Sequence, residues 1–198
     1  MLKPILNKGL LLIGLMSSSL MFSSCGGDTP VVRVSEDLTD DYYAFQDFNL
    51  NLYGIPAFIS FPDETANIGT STKPDIEHVQ NDIKWEVNIG SSFQLLIEDY
   101  GDINDLIEVK KTALADQSFF HVNYLIDASD LILYERVLLV KGIANASPNV
   151  GVEHRSYHVY GSKVIKGVTY ELQSREEGYE KIIIELMAQS IRSLRAIE

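Results

Sequence analysis

The chain has 198 residues, with 28 Asp and Glu against 16 Lys and Arg, a net charge of −12 and 45% hydrophobic residues. That balance belongs to a folded globular protein and excludes disorder over most of the length. Acidity on this scale, with no basic stripe to neutralise phosphates, argues against nucleic-acid binding. One domain suits the size, and ten Tyr, eight Phe and one Trp supply large side chains for its core.

Met1 to Lys8 carries Lys3 and Lys8 and no acid, and an apolar run from Gly9 to Phe22 leads into Ser23-Ser24-Cys25. A basic start, a short apolar run and small residues are the parts of a secretory signal peptide, here residues 1–24. The run is broken by Ser17, Ser18 and Ser19 and falls short of the roughly 20 apolar residues a spanning helix needs. Small residues directly before the only cysteine resemble a bacterial lipobox. That resemblance implies cleavage ahead of Cys25, acylation of its thiol, and a protein held on the bacterial cell envelope, at the outer membrane, through its N-terminal acyl chains. A lone thiol exported to an oxidising compartment invites cross-linking, and lipidation removes it. Losing residues 1–24 discards two lysines and no acid, so acyl chains rather than a basic patch must do the anchoring.

Residues 25–45 read as a lipidated tether. Gly26-Gly27-Asp28-Thr29-Pro30 and the acidic Ser35 to Asp41 resist compact packing and suit a spacer. A single globular domain then occupies 46–198. Its first strand signals are the alternation of Phe48, Leu50 and Leu52 with Asn49 and Asn51, and the run Ile55 to Phe61. Ile83 to Ile89 and Phe93 to Glu98 flank Gly90-Ser91-Ser92 and predict a hairpin. A helix is expected from Asp102, with Asp102 and Asp105 at its start and Ile103, Leu106, Ile107, Lys110 and Leu114 at helical spacing. Strands follow over about 119–127 and 131–140, turning at Ala128-Ser129-Asp130. Ile143 to Gly151 reads as a loop, and a further pair over about 155–164 and 168–173 turns at Lys166-Gly167. At the C-terminus, Ser174 and Glu177 have capping-box spacing, and Ile183, Leu186, Met187, Ser190, Ile191 and Leu194 form one stripe of a long helix lying across the sheet. The expected class is α+β, an antiparallel sheet of about six or seven strands with helices packed on it.

The hairpin ending in Phe93 to Glu98, the helix after Gly101, the Tyr134-Glu135-Arg136 strand, the Val168-Thr169-Tyr170 strand and the final Ser190 to Leu194 helix together resemble the PsbP/Mog1-like fold over about residues 54–195. With the lipobox, the whole is similar to lipoproteins of Bacteroidota. The resemblance implies an adaptor or assembly role, a possible envelope protein partner and no catalysis. It assigns no binding residue.

Among the histidines, His154 and His158 have the spacing of zinc ligands on a helix. On the strand expected there, a four-residue step spans about 13 Å, so they cannot share an ion and should face solvent. His78 and His121 show no partner in the sequence. Asp99 to Asp105 lacks the Gly and Glu positions of an EF-hand loop and reads as a helix cap. Tyr42, Tyr43, Phe45, Phe48 and Tyr53 crowd the start of the domain and read mainly as core. No nucleophile elbow, Gly-rich phosphate loop or CxxC is present. The expectation is therefore a monomeric, membrane-anchored binding or assembly module with Cys25 as its lipidation site and no catalytic, cofactor or metal residue. The alternative is an envelope hydrolase built from dispersed Asp, Glu and His. Convergent carboxylates in a pocket would favour the hydrolase, and a carboxylate-poor face the binding module.

Overall fold

The structure, a computed structural model, describes residues 43–69, 73–80, 83–138 and 154–198. The signal peptide, Cys25, Tyr42, all but the last residues of the tether, and the 143–151 loop lie outside the described residues. Strands β1 (Phe45–Asn49), β2 (Ala57–Pro62) and a short β10 (Arg195–Ala196) form one sheet, ordered β1-β2-β10. A second sheet takes β3 (Asp75–Gln80), β4 (Lys84–Ile89), β5 (Phe93–Asp99), β6 (Phe120–Asp127), β7 (Leu131–Leu138), β8 (Arg155–Ile165) and β9 (Val168–Ser174). Its order is β3-β4-β5-β9-β8-β7-β6, with every neighbouring pair antiparallel. Helices α1 (Leu106–Ala115) and α2 (Lys181–Ser193) complete an α+β fold.

Burial alternates strictly along β4 and β5, so Trp85, Val87, Ile89, Phe93, Leu95 and Ile97 all enter one face. There they meet α2, whose other side rests on β2. Held between two sheets, α2 buries Ile184 and Ala188 as well as Leu186, Met187, Ser190 and Ile191, a wider surface than the single stripe expected. Ile183, expected to be buried, is only partly so. Close approach to β8 depends on Gly161, where a Cβ would stand 2.5 Å from Ile191 Cγ2. On the opposite sheet face, α1 sets Leu106, Ile107 and Leu114 against Ile132, Tyr134 and Tyr160.

Both later hairpins form as expected, and Lys166 and Gly167, each at positive φ, make the two-residue turn between β8 and β9. The structure departs from expectation at five places. Leu50 and Leu52 are not in a strand: β1 stops at Asn49, whose side chain accepts from Asn51 N and opens a 3-10 turn, leaving Leu50 buried and Leu52 83% exposed. Strand β3 was not foreseen, because an edge strand of mostly exposed residues carries little apolar alternation. Helix α1 begins at Leu106 rather than Asp102, and Asp105 makes no side-chain cap bond. The capping box does not form, because Ser174 is the last residue of β9 and its Oγ accepts from Val159 N. Helix α2 consequently starts at Lys181 and spans 13 residues, shorter than the long helix expected.

Leu186 is fully buried on α2, so Leu186→Ala should cost about 2–5 kcal/mol in urea denaturation. Gly161→Ala should cost about 1–3 kcal/mol by overpacking against Ile191. A wild-type denaturation midpoint in either variant would contradict this packing.

Candidate functional site

Helix α1 is only 10 residues long and covers part of its sheet face. Beside it a cleft of about 190 Å³ opens over β7, β8 and β9, lined among others by Lys110, Gln117, Arg136, His158, Gln173 and Glu176. Strand alternation places the floor: Tyr134 and Arg136 on β7 and His158 on β8 point to the α1 side, and Tyr134 lies opposite His158 in the register. Their rings stack at 5.2 Å.

Hydrogen bonds fix Lys110 in the cleft. Its Nζ donates to Gln173 Oε1 at 3.2 Å and sits 4.8 Å from the centre of the Tyr160 ring. Gln173 Nε2 in turn donates to Glu171 Oε1, and the Tyr160 hydroxyl to Glu171 Oε2, both at 2.6 Å. Burial lowers the Lys110 pKa, and burial raises that of Glu171, against the stabilising Tyr160 bond and Lys110 charge. Arg136 lays its guanidinium over the Phe120 ring at 4.1 Å. Arg175, also on the lining, is paired with Glu86.

His158 departs from the solvent-facing position expected: it is 2% exposed. Ser156 and His158, two apart on β8, share a face, and Ser156 Oγ meets His158 Nε2 at 2.8 Å. The loop after β9 closes over the ring at Gly178, whose φ of +75° and approach to His158 leave no room for a Cβ. Burial, followed by the Arg136 charge, pushes the His158 pKa down to about 4, against a hydrogen bond that the ring donates to the Arg175 backbone, which raises it. The ring is neutral at pH 7. This Ser–His contact escaped the sequence reading, which looked for a serine turn, although i, i+2 spacing on a strand was a usable signal.

The remaining sequence candidates stay apart. His78 packs edge-on to Trp85 at 5.6 Å on β3, while His121 and His154 are exposed. Asp99 Oδ1 accepts from Gly101 N in a turn, and Asp102 and Asp105 are exposed. Among the described residues, no three His, Cys, Asp or Glu side chains are grouped to hold a metal. Buried Glu135 accepts from Asn123, Arg155 and Tyr157, and the Asn123 bond above all holds its pKa low. It is a satisfied structural anion. Of the early aromatics, Tyr43, Phe45, Phe48 and Tyr53 pack on the main core. A larger hollow, about 540 Å³ near the start of α2, is lined by Tyr43, Asn67, Ser91, Tyr179 and Ile183 among others, and among the described residues Glu180 is its one charged group. The smaller cleft is the chemically richer of the two. A scan of protein-family models matches none to this chain, and no curated protein matches it.

A buried histidine with a depressed pKa stabilises the fold where it is neutral in both states. Stability is therefore full above the unfolded value of about 6.5 and is lost as pH falls from there towards 4, by about 3 kcal/mol for a shift of this size. Glu171, with its raised pKa, contributes in the opposite sense. The comparison is accordingly between wild type and His158→Gln, with urea denaturation from pH 7.5 to 4.5. The wild type should lose stability more steeply on acidification, and parallel pH profiles would refute the buried neutral histidine.

Proposed function

We propose that this chain is a lipid-anchored cell-envelope domain that binds a small ligand in the cleft beside α1 without transforming it. The observation that carries this reading is the chemistry of the cleft. Among the described residues its charged lining is Lys110, Arg136 and Arg175 with one carboxylate, Glu176, so these residues supply no pair of convergent carboxylates for acid–base work. The rigid Glu171–Gln173–Lys110 chain suits recognition, which benefits from groups held in place before the ligand arrives. The non-catalytic part of the reading also draws on the PsbP/Mog1-like resemblance, which implies an α+β adaptor domain.

One observation favours a hydrolase, the 2.8 Å contact between Ser156 Oγ and His158 Nε2. A nucleophile needs a base with a pKa near the working pH, and a ring held at about 4 is a weak one. A fluorophosphonate probe decides between the two readings: Ser156 should remain unlabelled, and its modification would establish the hydrolase.

The anchoring half of the proposal rests on Cys25 and the basic, apolar segment before it. Cys25→Ala should move the protein from the membrane to the soluble fraction. Mass spectrometry of the wild-type N-terminus should find an acylated Cys25, and a mature chain starting elsewhere without acyl mass would sink the idea.

A further inference from the structure

The cleft holds two buried polar atoms that no described residue satisfies: Arg136 Nε, a donor, and Gln117 Oε1, an acceptor. Leaving either unpaired in a desolvated place is costly, so each is a group that a ligand entering the cleft satisfies once the side chain turns to meet it. The Phe120 ring beneath Arg136 fixes the guanidinium plane and supplies no acceptor. Lys110 spends one of its three donors on Gln173. We propose that the cleft binds a small monoanionic hydroxy acid, its carboxylate held by Arg136 and Lys110 and a hydroxyl donating to Gln117 Oε1. This inference rests on the binding-module reading above and names its ligand class.

Three features select that class. A planar guanidinium matches a carboxylate, and an orphan acceptor in the same cleft demands a donor on the same molecule, which a simple carboxylate lacks. Volume is the second: about 190 Å³ equals the liquid volume of roughly six waters, enough for about six to ten non-hydrogen atoms. Charge is the third. Arg175 is already paired with Glu86, Glu176 stands on the lining, and Glu171 lies within Coulombic reach of Lys110. Lys110 and Arg136 therefore stand beside two acids, Glu171 and Glu176, in a nearly charge-balanced cleft, which disfavours a phosphate dianion more than a monoanion.

The test is isothermal titration calorimetry at pH 7 on the full chain purified in detergent, with lactate, glycerate, acetate and inorganic phosphate as probes. Lactate or glycerate should bind with a Kd below about 1 mM, at least about tenfold more tightly than acetate or phosphate. Arg136→Gln should weaken that binding by about tenfold or more, and Gln117→Leu should reduce a hydroxy acid to the level of acetate. Far-UV circular dichroism checks that both variants fold, and the four-probe ranking on the wild type stands without them. Phosphate binding as tightly as the hydroxy acids, or hydroxy-acid binding untouched by Arg136→Gln in a folded variant, overturns the proposal while leaving a binding module. Silence with all four probes overturns it too. Labelling of Ser156 by the fluorophosphonate instead overturns the reading on which it rests.

Discussion

Burial of α2 on two sides is the constraint on which the rest of this fold depends. A helix packed against one sheet shows an apolar stripe and a wet back. Here α2 also rests on β2, so Leu186 and Ser190 are as fully buried as Ile184, Ala188 and Ile191, which share the stripe turned to β8. The ends are tied as well, since Ser193 Oγ accepts from Ser60 N at 2.7 Å and β10 pairs with β2 directly after the helix. Close packing needs a short side chain on β8, and Gly161 provides none at all. The apolar face of the large sheet is thereby used up, and the other face is left to α1.

That second face is where polarity collects. Helix α1 buries only Leu106, Ile107 and Leu114, and the uncovered strip beside it is lined by Lys110, Gln117, Arg136 and Gln173. A salt bridge from Lys111 to Asp127 at 2.6 Å links α1 to the end of β6. Lys110 and Arg136 gather in this cleft of a chain of net charge −12, with Glu171 and Glu176 beside them. Histidine 158 adds no charge there at neutral pH. Its imidazole works as a flat polar spacer between Tyr134 and the loop at Gly178.

Hairpins and the tail helix were legible in the sequence because their signals are local. Alternation over Lys84–Ile89 and Phe93–Asp99, and the Lys166-Gly167 turn, specify pairing between neighbours in the chain. Local spacing also misled. Ser174 and Glu177 have capping-box spacing, but Ser174 makes its bond across the sheet to Val159, a partner 15 residues away. The alternation of Leu50 and Leu52 looks like a strand until Asn49 caps a 3-10 turn. Of the cleft lining, Lys110, Leu114, Tyr134, Arg136, His158 and Ser174 stand out in the sequence by helix spacing, strand position or capping spacing, and none as part of a site.

Sequence by itself determined the α+β class, most strand positions, a C-terminal helix, and the lack of any motif that names a reaction, since all of these follow from composition and short-range periodicity. Tertiary structure alone decided that β5, paired with β4 on one edge, takes the distant β9 on the other, that α2 contacts both sheets, and that Arg136, Gln117 and Lys110 line one cleft. Those outcomes depend on contacts between residues far apart in the chain, and no local pattern encodes which distant faces will meet. Burial turned His158 from an ordinary strand histidine into a neutral buried one, and burial is a property of the assembled fold.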